Sequence, residues 1–139
     1  MNNSDFLLIL NMPKSVSNDI LVSAVPSFVE SHSKPTSQEF LFSYHIKIEN
    51  SGSSIIQLLS RHWFIFDSNG EYAEVKGEGV IGLQPVIHPG QLHEYDSFCN
   101  LKTDMGMMWG SYLMKRMDDN SVFKVNIPEF HLIVPSRLN

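Results

Sequence analysis

Between Phe40 and Ile48, apolar and polar side chains alternate with period two. Phe40, Phe42, Tyr44, Ile46 and Ile48 share one side, while Ser43, His45 and Lys47 take the other, as in a strand with one buried face. A second apolar run, Ile55 to Phe66, follows the turn-forming Asn50-Ser51-Gly52-Ser53 and is closed by Asp67-Ser68-Asn69-Gly70, whose Asn-Gly is a strong hairpin signal. Two hairpin junctions this close predict antiparallel sheet. Further strands are predicted at Glu71–Lys76, at Gln91–Phe98 after Pro89-Gly90, at Met107–Met117, at Val122–Ile127 after Asp118-Asp119-Asn120, and at Phe130–Val134. Upstream, Ile20–Glu30 reads as a strand interrupted by Pro26, which belongs at an edge or a bulge because proline cannot donate to a ladder. The polar Ser31–Gln38, with Pro35, is predicted as an exposed loop. No window of eleven or more residues keeps a helical apolar spacing free of turn breakers. The expected fold is therefore all-β, an antiparallel sandwich of seven or eight strands.

Composition narrows the classes of function. The chain has 139 residues, enough for one well-cored domain. Its single cysteine, Cys99, excludes an intrachain disulfide, a cysteine-based zinc site and a two-cysteine redox motif. That fits a reducing cytoplasm. Fifteen acidic against ten basic residues, a formal net charge of -5 with Lys115-Arg116 the one adjacent basic pair, argue against nucleic acid. The apolar Phe6–Leu10 is too short to insert in a membrane and lacks the basic flank of a signal peptide.

The stretch KGEGVIGLQP, Lys76 to Pro85, carries Gly77, Gly79 and Gly82 in the spacing G-x-G-x-x-G. A dinucleotide site of that pattern needs a helix after the loop to hold pyrophosphate on its N-terminal amides. Pro85, Pro89 and Gly90 forbid one here. The glycines are expected instead to allow positive φ or close backbone approach where the chain leaves a strand. Anion binding by a nest of loop amides is the alternative. Of six histidines, His88 and His93 are the nearest pair, and with Glu94 or Asp96 they would make a mixed nitrogen and oxygen set suited to cobalt or zinc. The plainer reading is that His45 and His62 are cross-strand surface residues and the others loop residues. No G-x-S-x-G, P-loop or H-E-x-x-H is present, and no catalytic residue or cofactor is assigned. Glu74 and Glu78 should share one side of a solvated strand, with Glu71 opposite Glu74.

The run from Gln57 through RHWFIFDSNGEYAEVKGEGVIGLQPVIHPG, then Glu94-Tyr95 with Ser97, then Gly106, Met108, Gly110, Tyr112 and Met114, and finally IPEFHLIVP, resembles the ApaG family, also called CorD. The resemblance covers about Lys14 to Asn139, leaving residues 1–13 as an N-terminal extension. It implies an immunoglobulin-like or fibronectin type III-like sandwich and an association with cobalt resistance and magnesium efflux. It also implies a gene often beside that of a diadenosine tetraphosphate hydrolase. Related domains in an F-box protein and a polymerase-delta-interacting protein act in protein contacts. This chain departs from the family's common residues with His62 in place of Tyr, Asp96 in place of Thr and Asn120 in place of Gly.

One more pattern bears on function. Met108, Tyr112 and Met114 must face opposite to Met107, Trp109 and Leu113 on one strand. One set should be core and the other half exposed, an adaptable apolar patch of the kind that docks partners. The sequence thus reads as a non-enzymatic protein-interaction module, with a nucleotide or pyrophosphate binder and a direct metal binder as alternatives. The partner's identity and the oligomeric state are left open.

Overall fold

The computed structural model describes residues 12–138; the predicted extension and its apolar Phe6–Leu10 lie almost wholly outside them. Among these residues, nine strands form two antiparallel sheets: β1 (Lys14–Ser17), β2 (Ile20–Phe28), β3 (Phe40–Asn50), β4 (Ile56–Asp67), β5 (Tyr72–Glu78), β6 (Val86–Ile87), β7 (Leu92–Leu101), β8 (Met105–Arg116) and β9 (Val122–Ile133). One sheet has the order β1-β2-β3-β7 and the other β5-β4-β8-β9, with β6 also pairing β4. Among the described residues, helical structure is limited to three short 3-10 turns, one of them inside the predicted loop before β3 and one starting just ahead of it at Glu30. The expected sandwich is observed.

The alternation predicted for β3 is realised: Phe42, Tyr44, Ile46 and Ile48 are buried. On β8 the core set is Met108, Tyr112 and Met114. Trp63 joins the sheets, its ring 5.3 Å from Tyr44 and 5.8 Å from Phe130. Fully burying large apolar side chains of this kind contributes about 1.5–3 kcal/mol each.

Three details differ from the sequence reading. Asn50–Ser53 is not a hairpin, because β3 and β4 belong to different sheets. The buried Asn50 side chain makes the bend: its amide donates to the carbonyls of Ser54 (2.8 Å) and Ile87 (3.0 Å), and its oxygen accepts from Gly52 N–H (3.0 Å). This local turn carries the chain across the core. Val122–Ile127 and Phe130–Val134 fuse into β9, since Pro128 falls at a bulge opposite Met108–Gly110 on an edge strand. Finally, the two-residue β6 went unpredicted, and so did β1. Its hairpin turn is Asn18-Asp19, both at positive φ (51° and 65°).

The sandwich is closed on one flank, where Ser15 Oγ donates to Asn126 O (2.6 Å) and Asn126 N–H to Ser17 Oγ (3.1 Å). On the opposite flank, a cavity of about 250 Å³ separates β7 from the loop after β5.

Candidate functional site

Two features stand out: the outer face of the five-stranded sheet and the open flank. On the outer face, β4 sets His62, Phe64 and Phe66 beside Lys76, Glu74 and Tyr72 of β5 and beside Ser111, Trp109 and Met107 of β8. The Phe64 and Trp109 rings stack at 5.7 Å and 12°, and Tyr72 leans on Trp109 at 5.8 Å while staying 58% exposed. This is the half-exposed set foreseen from β8, enlarged by rings from two neighbouring strands. Next to it, Ser60 and Ser111 floor an open groove of about 510 Å³ whose walls include Lys76, Lys124 and His62. His62 Nε2 meets Glu74 at 2.5 Å, and that contact holds the Glu74 carboxyl below its ordinary pKa.

The glycine stretch has a different origin at each position. Gly79 lies at φ +61°, and a β-carbon there would sit 2.1 Å from the Leu83 carbonyl oxygen. Gly82 (φ +73°) and Ile81 (φ 48°) are the centre of a two-residue turn in which Val80 and Leu83 exchange both backbone hydrogen bonds. Gly77 has no positive φ; a side chain there would meet the Arg61 guanidinium. The amides of Gly79, Val80 and Leu83 are all bonded to carbonyls, so a phosphate would find those donors engaged.

The histidines do not assemble as a pair with acids. His88 is exposed after β6, whereas His93 is half buried on the inner side of β7, opposite in direction to Glu94 and Asp96. Burial lowers the His93 pKa. His93 and His131 are strand residues rather than loop residues. The acids of β7 instead hold His45 of β3: Nδ1 lies 2.9 Å from Asp96 and Nε2 3.3 Å from Glu94. Its pKa is raised, chiefly by the Asp96 hydrogen bond. Each carboxylate engages a different ring nitrogen, so the three do not converge on a point. Among the described residues, no group of three or more His, Cys, Asp or Glu is placed to hold a metal ion. Cys99 is buried and its thiol is pushed up to about 12, which keeps it protonated.

Sequence reading missed Arg61 and the tyrosines around it. Arg61 pairs with Gly77 and with the core residue Tyr112, on the inner side of β4. Tyr112 and Tyr95 join hydroxyl to hydroxyl. The available signal was a charge interrupting the inner positions of an apolar strand, obscured by a bulge between Leu58 and Ser60 that shifts the alternation.

A family model described as the ApaG domain matches residues 30–116. A protein ApaG from Anaeromyxobacter dehalogenans is 46% identical over 92% of this chain and all of its own length. One from Bdellovibrio bacteriovorus is 45% identical over the same shares. A crystal structure of an ApaA protein from Bordetella pertussis superposes with a TM-score of 0.81 at 39% identity, covering 89% of this chain and 97% of the other. The fold, the spread of matched motifs and this level of identity converge, and the chain belongs to the ApaG family.

Proposed function

We propose that the chain is a non-catalytic, cytoplasmic interaction module that docks a protein partner on the outer face of its five-stranded sheet. The observation that carries this reading is the contiguous stack of Tyr72, Trp109 and Phe64, left half open to solvent beside the Lys76–Lys124 groove. Exposed rings anchored on a rigid sheet bury large area at small entropic cost, and such residues dominate binding energies. On this face Lys76 is shared with Glu74 at 3.7 Å and Glu78 also lines the groove, while Lys115 and Lys124 have no ion pair among the described residues. These two favour a partner that brings apolar side chains to the rings and carboxylates to the two lysines. The association with cobalt and magnesium then acts through that partner, with no ion held by this chain. No helix among the described residues is long and apolar enough to cross a membrane.

The test is affinity capture from native lysate with and without added cobalt and magnesium. One stoichiometric protein, retained in both conditions and lost by Tyr72→Ser and Trp109→Ser, supports docking. Capture that requires the cation, or that survives both substitutions, refutes it. Nucleotide or pyrophosphate binding by the Gly77–Gly82 loop is the competing reading, separated by thermal melting below.

A further inference from the structure

Arg61 is half buried on the inner side of β4, between the core residues Leu58 and Trp63. A cation so placed is ordinarily matched by a carboxylate, because an unpaired charge away from bulk water is costly. Among the described residues, no carboxylate lies within ion-pair distance of it. Its Nη1 donates instead to the carbonyls of Glu78 and Gly79, both at 2.9 Å. Its guanidinium face lies over Gly77, where a β-carbon would fall 2.7, 2.8 and 2.9 Å from Nη2, Cζ and Nη1. Gly77 is thus the slot that lets Arg61 reach across β5.

Those two bonds use the hydrogens of Nη1, and Nε and Nη2 hold no bond to a described residue. Among the described residues, no buried side-chain nitrogen is left without a partner. These donors are therefore reached by solvent, through the cavities that Arg61 lines. Nε–H beside one Nη2–H forms the parallel pair that fits both oxygens of a carboxylate.

A second donor comes from the tyrosine pair. Tyr112 is fully buried and its hydroxyl has one partner among the described residues, the hydroxyl of Tyr95. Were Tyr95 the donor, the Tyr112 hydrogen would be stranded in the core, an arrangement folded proteins avoid. Tyr112 must donate, and the hydrogen of Tyr95 is then free for the cavity that Tyr95 lines with Arg61, Tyr44 and Ser97. Burial raises the pKa of Tyr44, Tyr95 and Tyr112, so all three stay protonated donors. Glu78 stands at the exposed rim and does not pair with Arg61.

We infer that the cavity between β7 and the Val80–Gly82 turn is a carboxylate-binding site, in which Arg61 grips the two oxygens, Tyr95 donates a further hydrogen bond, and Tyr44 and Trp63 wall a short apolar stem. At about 250 Å³ it is smaller than the roughly 300–1,000 Å³ pockets of drug-sized ligands. It suits one acid group with a short stem and is too small for a dinucleotide. Arg61 and Glu78 also line the groove of the docking face, but none of the stacked rings Tyr72, Phe64 and Trp109 lines this cavity, and the assignment does not depend on docking there. The carboxylate could belong to a free small acid or to the C-terminus of a protein chain; the chemistry recognised is the same.

The ¹⁵N-labelled full chain is titrated with benzoate, standing for a free acid, with N-acetylphenylalanine, standing for a chain terminus, and with the amides of both. Saturable shifts centred on residues 77–82 and 95–97 are expected for the acids and none for the amides. The acid that binds more tightly identifies the source. Arg61→Gln should weaken binding about tenfold or more, the scale of one lost charge-assisted hydrogen bond. Gly77→Ala should do the same by displacing the guanidinium without backbone strain, and it decides the matter if Arg61→Gln fails to fold. Absence of saturable shifts in the wild type, equal shifts from the amides, inorganic phosphate binding as tightly as the acids, or unchanged affinity in Gly77→Ala would each overturn the assignment.

Discussion

The two outer faces of the sandwich follow the same period-two alternation and present different chemistry. The four-stranded face carries its exposed apolar residues singly: Val16 on β1, Leu92 and Phe98 on β7, with Phe98 beside Ser43. Between them lie polar groups, with His45 held by Asp96 and Glu94. The five-stranded face gathers its rings into one stack and sets its basic groups in a groove alongside. Scattered exposed apolar residues are normal on any soluble surface, whereas a contiguous, rigidly seated patch marks a contact site. The lesson is that exposure alone does not separate them, since Phe98 is 62% exposed and Tyr72 58%. Their neighbours do.

A histidine–carboxylate pair stands on each face. Asp96 gives His45 its closest acid, and His62 gives Glu74 its partner. The pairs respond to pH in opposite directions. His45 has a folded pKa above 6.5, so its contribution is complete below about pH 6.5 and lost as pH rises through the folded value. Glu74 has a folded pKa below 4.5, so its contribution is present above about pH 4.5 and lost as pH falls.

The largest change in stability is expected where neither face is touched. Gly79→Val forces a branched side chain into φ +61° against the Leu83 carbonyl, and should cost roughly 1–3 kcal/mol in plain buffer. A denaturant midpoint unchanged from wild type would remove the backbone explanation of that glycine. Next, Trp109→Leu keeps an apolar side chain but breaks the ring stack, and should lower stability by about 0.5–1.5 kcal/mol. Phe98→Ser on the other face should stay within about 0.5 kcal/mol of wild type. Equal losses would erase the distinction between the faces. Smaller still are the pH terms. The melting-temperature gap between wild type and His45→Gln should be wider at pH 5.5 than at pH 8.5. That for Glu74→Gln should be wider at pH 6 than at pH 3.5, and reversed slopes would contradict both assignments. No shift at all is expected with millimolar ATP or NAD, although a ligand at a hundred times its dissociation constant would add about 2.7 kcal/mol.

Much of this architecture was legible because burial writes itself into alternation. Phe42 to Ile48 announced β3, and the opposed methionine sets of β8 announced both a core and a patch. Asn69-Gly70, with Gly70 at φ 93°, marked the β4–β5 hairpin. What alternation does not encode is the sheet to which the next strand belongs. Asn50 sends β4 across the core through bonds to Ser54 and to Ile87, and that second partner is 37 residues away. The same limit hid the Arg61 site. Its parts come from β3, β4, β5 and β7, and the bulge after Leu58 breaks the very period that would have placed Arg61 inside.

Docking on the five-stranded face is tested most directly by side-chain footprinting of the chain bound to its captured partner. Carbene labelling followed by mass spectrometry reads Tyr72, Trp109, Val16 and Phe98 in one experiment. Strong protection of Tyr72 and Trp109 is expected on binding, with Val16 and Phe98 labelled as in the free chain. Protection of Val16 and Phe98 with Tyr72 and Trp109 unchanged would place the partner on the four-stranded face and contradict the docking proposal.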